Sequence, residues 1–273
     1  MKRFIDDALW MVLIVLAGIV LLFLVVPLVV TALMAFDSRS YLGPLPPPSF
    51  STKWFIRLFS EQYFMDGLRN SLIISGLAVT LSTLIGVSTA VFLHRGSTAG
   101  TTLLASFFVS PLVVPPVVIG FALLVFLAYA GIFDGFARLV CGHVILTLPY
   151  AIRATLASLA GLDPGLREAA MSLGATERQA FWRITFPLAR TGIVAGSIFG
   201  FAVSLDDVAV SMFLTDSTTY TLPVALVSNM RASFDLTIAA ASILIITVNV
   251  VLVVVLDRVV GINRILGQGL RSG

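Results

Sequence analysis

From Ala8 to Phe36 the chain carries no charged residue. A run of that length crosses the roughly 30 Å hydrocarbon core of a bilayer as a helix, which needs about 20 mostly apolar residues. Five further segments read the same way, so six spans are expected at about 9–36, 68–93, 102–129, 137–160, 189–214 and 236–257. Helices satisfy their own backbone groups in lipid, whereas open strands do not. No ten-residue alternating segments suggest a β-barrel. Charged residues are 11% of the chain, against about 25% in soluble domains, too few to cover a water-facing surface. The expected fold is an all-α membrane protein in one domain, 1–273.

Lys2 and Arg3 precede the first run as they would in a signal peptide. The run far exceeds the roughly 7–15 residues of a signal h-region, and no small-residue cleavage site follows closely. It is read as a retained span. Basic residues then set the orientation. With the N-terminus in the cytoplasm, Lys2, Arg3, Arg95, Arg153, Arg167, Arg178, Arg183, Arg190, Arg258, Arg264 and Arg271 fall inside. Arg39, Lys53, Arg57, Arg69, Arg138 and Arg231 fall outside, most of them in the long 37–67 loop. Six spans return the C-terminus to the cytoplasm.

The 37–67 loop opens with the stretch GPLPPPS, extended and turn-rich. Trp54, Phe55, Phe59, Tyr63 and Phe64 then suit either a short amphipathic helix at the outer interface or a plain spacer. Pro27, Pro111, Pro115, Pro116 and Pro149 fall inside predicted spans and can kink them. His143 is expected to be hydrogen-bonded inside the bundle. With only His94, His143 and Cys141, a metal site of His or Cys ligands is not expected, nor is a disulfide. No basic patch with interleaved aromatics suggests nucleic acid.

The segment from Gly161 to Leu188 reads GLDPGLREAAMSLGATERQAFWRITFPL. Two short helices outside the bilayer are expected. Asp163 caps the first, with Pro164 at its first position. Leu166, Ala169, Ala170 and Leu173 form an apolar stripe, and Gly174 ends it with a left-handed cap. Thr176 and Gln179 form a capping box for the second, Phe181, Trp182 and Ile184 give its apolar face, and Pro187 closes the loop. Spacing alone fits equally a docking element for a soluble partner and a helix lying on the membrane.

The fifth span holds Asp206 and Asp207 well past Arg190. An aspartate at the centre of a span costs about 2.5–3.5 kcal/mol, so the pair is expected to face a cavity, pair with a base or be protonated. Neighbouring helical residues point about 100° apart. One carboxylate can then face a pathway while the other bonds a neighbouring helix; alternatively the helix breaks and both line a cavity, or both are structural.

The 161–188 loop resembles the EAA loop of binding-protein-dependent ABC importer permeases, on Glu168, Ala169, Ala170, Gly174, Ile184 and Pro187. Phe186 stands where that pattern prefers leucine, and the position stays apolar. The resemblance implies a type I importer permease bundle whose first short loop helix is the coupling helix, seated in a cleft of a separate ATP-hydrolysing subunit. It implies two such subunits, a second permease subunit, more often a distinct chain than a copy, and an external solute-binding protein, periplasmic or lipid-anchored. ATP and Mg would be bound by the ATPase, with no cofactor on this chain, which has no G-x-x-x-x-G-K-[ST] phosphate loop. The expected location is the bacterial inner membrane.

The stretch SLDDVAVSMFLT, followed by TYTLPVALVSNMR, resembles spermidine/putrescine permeases on Ser204, Asp206, Asp207, Val208, Leu222 and Pro223. That resemblance leans to a polyamine such as spermidine or putrescine, and the preference for a cation rests on Asp206 and Asp207. Opines, other amines, metals or phosphonates are the alternatives within the same role. An independent secondary transporter would use the intramembrane acids but shows no inverted repeat. No H-E-x-x-H, G-x-S-x-G or metal cluster supports an enzyme.

Overall fold

A computed structural model describes residues 2–96, 99–232 and 235–260. Arg264 and Arg271, placed inside by the charge reading, lie outside the described residues. Twelve α-helices are present among the described residues: α1 Lys2–Ala35, α2 Lys53–Ser60, α3 Gln62–Arg95, α4 Ala99–Val109, α5 Pro116–Tyr129, α6 Gly135–Ala160, α7 Pro164–Ser172, α8 Glu177–Ala180, α9 Phe186–Asp206, α10 Ser211–Leu214, α11 Leu222–Ala232 and α12 Thr237–Val260. Five helical stretches are long and apolar enough to cross a membrane: Leu9–Ala35, Gln62–His94, Gly135–Ala160, Glu177–Asp206 and Thr237–Arg258.

The expected third span, 102–129, is not one helix. Gly100–Leu112 and Pro116–Tyr129 meet at 104°. The cause is local. Each residue before a proline is pushed out of the helical region, and Pro115, which precedes Pro116, sits at φ −55°, ψ 131°. Neither proline supplies the N–H that would carry the ladder onward.

The fifth span also differs from its expected bounds of 189–214. It starts earlier, because Pro187 does not close the loop. A π-helical turn, Phe181–Thr185, joins α8 to α9, and the Phe186 N–H reaches back to the Phe181 carbonyl. Widening the ladder by one residue before a proline lets the helix run through it. The span then stops early, at Asp206.

Two compact units are present. The first comprises Met1–Gln62 and Ser228–Ile246. Its core is Ala35, Trp54, Leu236, Ala239 and Ala240. The Trp54 Nε1–H donates to the Asp37 carbonyl at 2.8 Å, and Arg57 pairs with Asp235 at 2.8 Å. The amphipathic helix of the 37–67 loop exists as α2, but it ends at Ser60, and Tyr63 and Phe64 open α3. Trp54 and Leu58 turn inward on this chain, so only part of its aromatic face is left for an interface.

Asp37 is held by Arg39, whose Nη2 lies 2.6 Å from Asp37 Oδ2. The Arg39 side-chain hydrogen bond keeps the carboxyl below the ordinary aspartate value of 3.8. A depressed folded value stabilises the loop above the unfolded value, and that stabilisation is lost as pH falls through the folded value. Hydrogen exchange of residues 37–61 is therefore expected to be flat from pH 7 to about 4 after correction for intrinsic rates, and to rise below that. Equal acid sensitivity in Arg39→Gln would exclude this pair as the cause.

The second unit comprises Tyr63–Val227 and Thr247–Gly273. Its main contact is α6 against α9. Glycines spaced by four make that contact. A Cβ on Gly192 would lie 2.5 Å from the Ala154 carbonyl oxygen, and one on Gly196 3.0 Å from that of Tyr150. Small residues at this spacing let helix backbones touch in lipid, where no hydrophobic force drives them together. Thr83 Oγ1 and Ser197 Oγ, 2.9 Å apart, tie α3 to α9.

Candidate functional site

The loop motif folds largely as its residue types dictate. Asp163 Oδ1 accepts from the Gly165 N–H at 2.8 Å and starts α7. Gly174 adopts φ +89°, a region in which residues with a Cβ are strained. The helix closes there with paired bonds, Ala175 N–H to Ala170 C=O and Gly174 N–H to Met171 C=O, both at 3.0 Å. That is the two-bond closure expected of a glycine cap. Thr176 and Gln179 complete the capping box, and Arg167 ties α7 to Glu177 at 2.6 Å.

Of the six motif residues, Glu168 and Ile184 line a common cavity of about 340 Å³ with Asp163, Arg167 and His94. Pro187 lies in the span that follows. Ala169 and Gly174 are exposed. The apolar stripe of α7 is largely uncovered by this chain: Leu166 is 47% exposed and Leu173 90%. An apolar stripe on a rigidly capped helix, left largely open by the described residues, has the form of a docking surface.

The second place is the break in the fifth span. α9 ends at Asp206, and Asp207 is extended, at φ −68°, ψ 125°. Of the alternatives open from sequence, the helix does break. The two carboxylates nevertheless differ. Asp207 is half-buried and spent on its own chain: Oδ2 accepts from the Ser211 N–H and the Ser211 hydroxyl, both at 2.9 Å, and Oδ1 accepts from the Val210 N–H at 3.4 Å. These bonds start α10. Asp206 is exposed and makes no hydrogen bond or ion pair among the described residues. It lies sixteen residues beyond Arg190, roughly 24 Å along a helix.

Asp206 also stands at the C-terminal end of α9. The last carbonyls of a helix are unpaired and carry the negative end of its dipole. A carboxylate there adds to the same sign, so the position suits a cation. Broken helices with ends at mid-membrane are a recurrent way of presenting such groups.

The two broken spans pack on each other. Ile119 and Leu127 of α5 share a buried cluster with Val210 and Leu214 beside the second break, and Phe121 meets Phe213 edge-on at 6.2 Å. His143, fully buried in α6, is hydrogen-bonded within the bundle as expected, to Ser204 and Ser211. Ser75 and Ser211 were not singled out from sequence: lone serines in apolar helices carry no pattern. Leu222 and Pro223 begin α11 and are buried, with the Leu222 N–H on Ser71 Oγ at 2.9 Å.

The sequence pattern of the family described as "Binding-protein-dependent transport system inner membrane component" matches residues 82–262. This chain belongs to that family.

Among family members, the spermidine/putrescine transport system permease protein PotC of Haemophilus influenzae is 30% identical over 236 residues, covering 86% of this chain and 91% of PotC. The putrescine transport system permease protein PotI of Escherichia coli K12 is 30% identical over 243 residues, covering 86% and 85%. The fold is that of ABC transporter permeases. A chain of a bacterial ABC transporter involved in import of the acidic polysaccharide alginate superposes with a TM-score of 0.72 at 19% identity, covering 96% of this chain and 97% of that one. This member of the binding-protein-dependent family is thus an ABC importer permease and not itself an enzyme. A shared fold spans solutes of opposite charge, so the choice of solute rests on local residues.

Proposed function

We propose that this permease subunit passes a small organic cation into the cytoplasm, with a polyamine such as spermidine or putrescine as its solute. The observation that carries this is the exposed Asp206 at the broken end of α9, unpartnered among the described residues. An uncompensated charge within a span is costly unless it serves a pathway. The polyamine names of the PotC and PotI relatives support the same class.

In this reading, an external solute-binding protein delivers the amine to a gated cavity between this chain and a second, distinct permease. The negative α9 end receives it. On the cytoplasmic side, α7 seats its uncovered Leu166, Ala169 and Leu173 in an ATPase subunit. Two such subunits close on ATP, and the push passes through the continuous helical run from Glu177 to Asp206. That run joins the docking loop to the carboxylate without a hinge loop between them. Both termini are cytoplasmic.

The test is uptake by the assembled importer, with its ATPase, second permease and binding protein, in cells lacking other amine uptake. Labelled putrescine and spermidine are expected to accumulate in an ATP-dependent manner and to compete with each other. Accumulation of neutral or anionic solutes with no amine uptake would overturn the cation reading. Amine uptake in cells making this chain without the ATPase would overturn the permease coupling.

A further inference from the structure

The break in the fifth span is held by one side chain on another helix. His143 lies eight residues into α6 and is fully buried. Its Nδ1 is 2.6 Å from Ser204 Oγ, three residues before Asp207. Its Nε2 is 2.9 Å from Ser211 Oγ, four residues after Asp207. The ring therefore grips both flanks of the break.

The string continues at each end. Ser211 donates its hydroxyl to Asp207 Oδ2 at 2.9 Å. A hydroxyl has a single proton, so toward the ring Ser211 accepts, and Nε2 carries the hydrogen. Ser204 Oγ is in turn 2.9 Å from Ser75 Oγ of α3. Ser75, Ser204 and Ser211 are all buried. The Thr147 hydroxyl donates to the His143 carbonyl at 2.7 Å. Four elements, α3, α6, α9 and α10, are thus joined through one imidazole. A buried hydrogen-bonded chain of this kind is rigid, because any slip strands a polar group in a low-dielectric interior.

Asp206 takes no part in it. Its backbone is nevertheless flanked by two anchored residues, Ser204 two positions before it and Asp207 directly after it. The direction of an exposed carboxylate is set by its backbone when the side chain has no partner of its own. We propose that His143 is a positioning residue for the cation site: by clamping Ser204 and Ser211 it fixes the break and so aims Asp206 into the pathway. This rests on the reading of Asp206 as the group that meets the solute.

The test is a double-mutant cycle on labelled putrescine uptake by the whole importer, comparing wild type, His143→Leu, Asp206→Asn and the pair. His143→Leu is expected to raise KM roughly tenfold with a smaller change in maximal rate, and to add nothing to Asp206→Asn. Ser211→Ala, which cuts the ring from Asp207 without changing bulk, should follow the same pattern, and it decides the matter if His143→Leu does not reach the membrane. If Asp206→Asn alone leaves uptake unchanged, the cation site is wrong and the positioning role falls with it. If Asp206→Asn impairs uptake but the His143 and Ser211 variants are either silent or multiply with it, the positioning role alone is wrong.

Discussion

Gly174→Val is expected to leave the permease in the membrane at normal abundance while ATP-driven uptake falls by about a hundredfold. Gly174 sits at φ +89°, with nothing within 4 Å of where a Cβ would be. The effect is therefore one of backbone strain and not of collision. For a β-branched residue the left-handed region is a genuine outlier, costing about 1–3 kcal/mol. The cheapest relief is to give up the bonds from Gly174 to Met171 and from Ala175 to Ala170. α7 would then lose its fixed angle to the helical run that starts at Glu177. No span depends on that turn, so insertion is spared. Asparagine, which tolerates this conformation best among residues with a Cβ, should retain more uptake than alanine, and alanine more than valine. The measurement is uptake and ATP hydrolysis side by side. Full uptake in Gly174→Val would sink the coupling role of α7.

Asp206→Asn and Asp207→Asn should fail in opposite ways. Removing the Asp206 charge takes away no bond among the described residues, so thermal stability in detergent is expected to hold while uptake of a divalent amine falls at least roughly tenfold. A neutral solute should be little affected. Asp207→Asn either turns an amide N–H₂ toward the Ser211 N–H or weakens both bonds there. A loss of about 1–3 kcal/mol of stability is expected, since bonds to charged, partly buried groups are the stronger ones. Melting curves and uptake on the same preparations separate the two. Similar stability losses in both variants would mean that the tandem acids act as a structural pair, and the pathway role of Asp206 would be withdrawn.

Local chemistry was legible in the residues themselves. Asp163, Gly174, Thr176 and Gln179 do what their types and spacing require, because a cap involves only residues within one turn. The third-span break was half legible. Pro115–Pro116 signalled a kink, but its size of 104° depends on what α5 packs against. Pro187 misled, since a proline before a span reads as a stop. The π turn at Phe181–Thr185 absorbs it within the helix.

Hydropathy alone determined that this chain lives in a bilayer and roughly where most of its spans lie, and residue types within one turn determined how α7 is capped. Each of those follows from contacts with solvent or with near neighbours in sequence. Where the fifth span stops was decided only in three dimensions. The stretch after Asp207 is apolar enough to continue as helix, and what ends it joins residues 61, 68 and 129 positions apart, through His143, Ser204, Ser211 and Ser75. No local pattern encodes bonds at such separations. They exist because a buried polar group in lipid must find its partner wherever packing brings one.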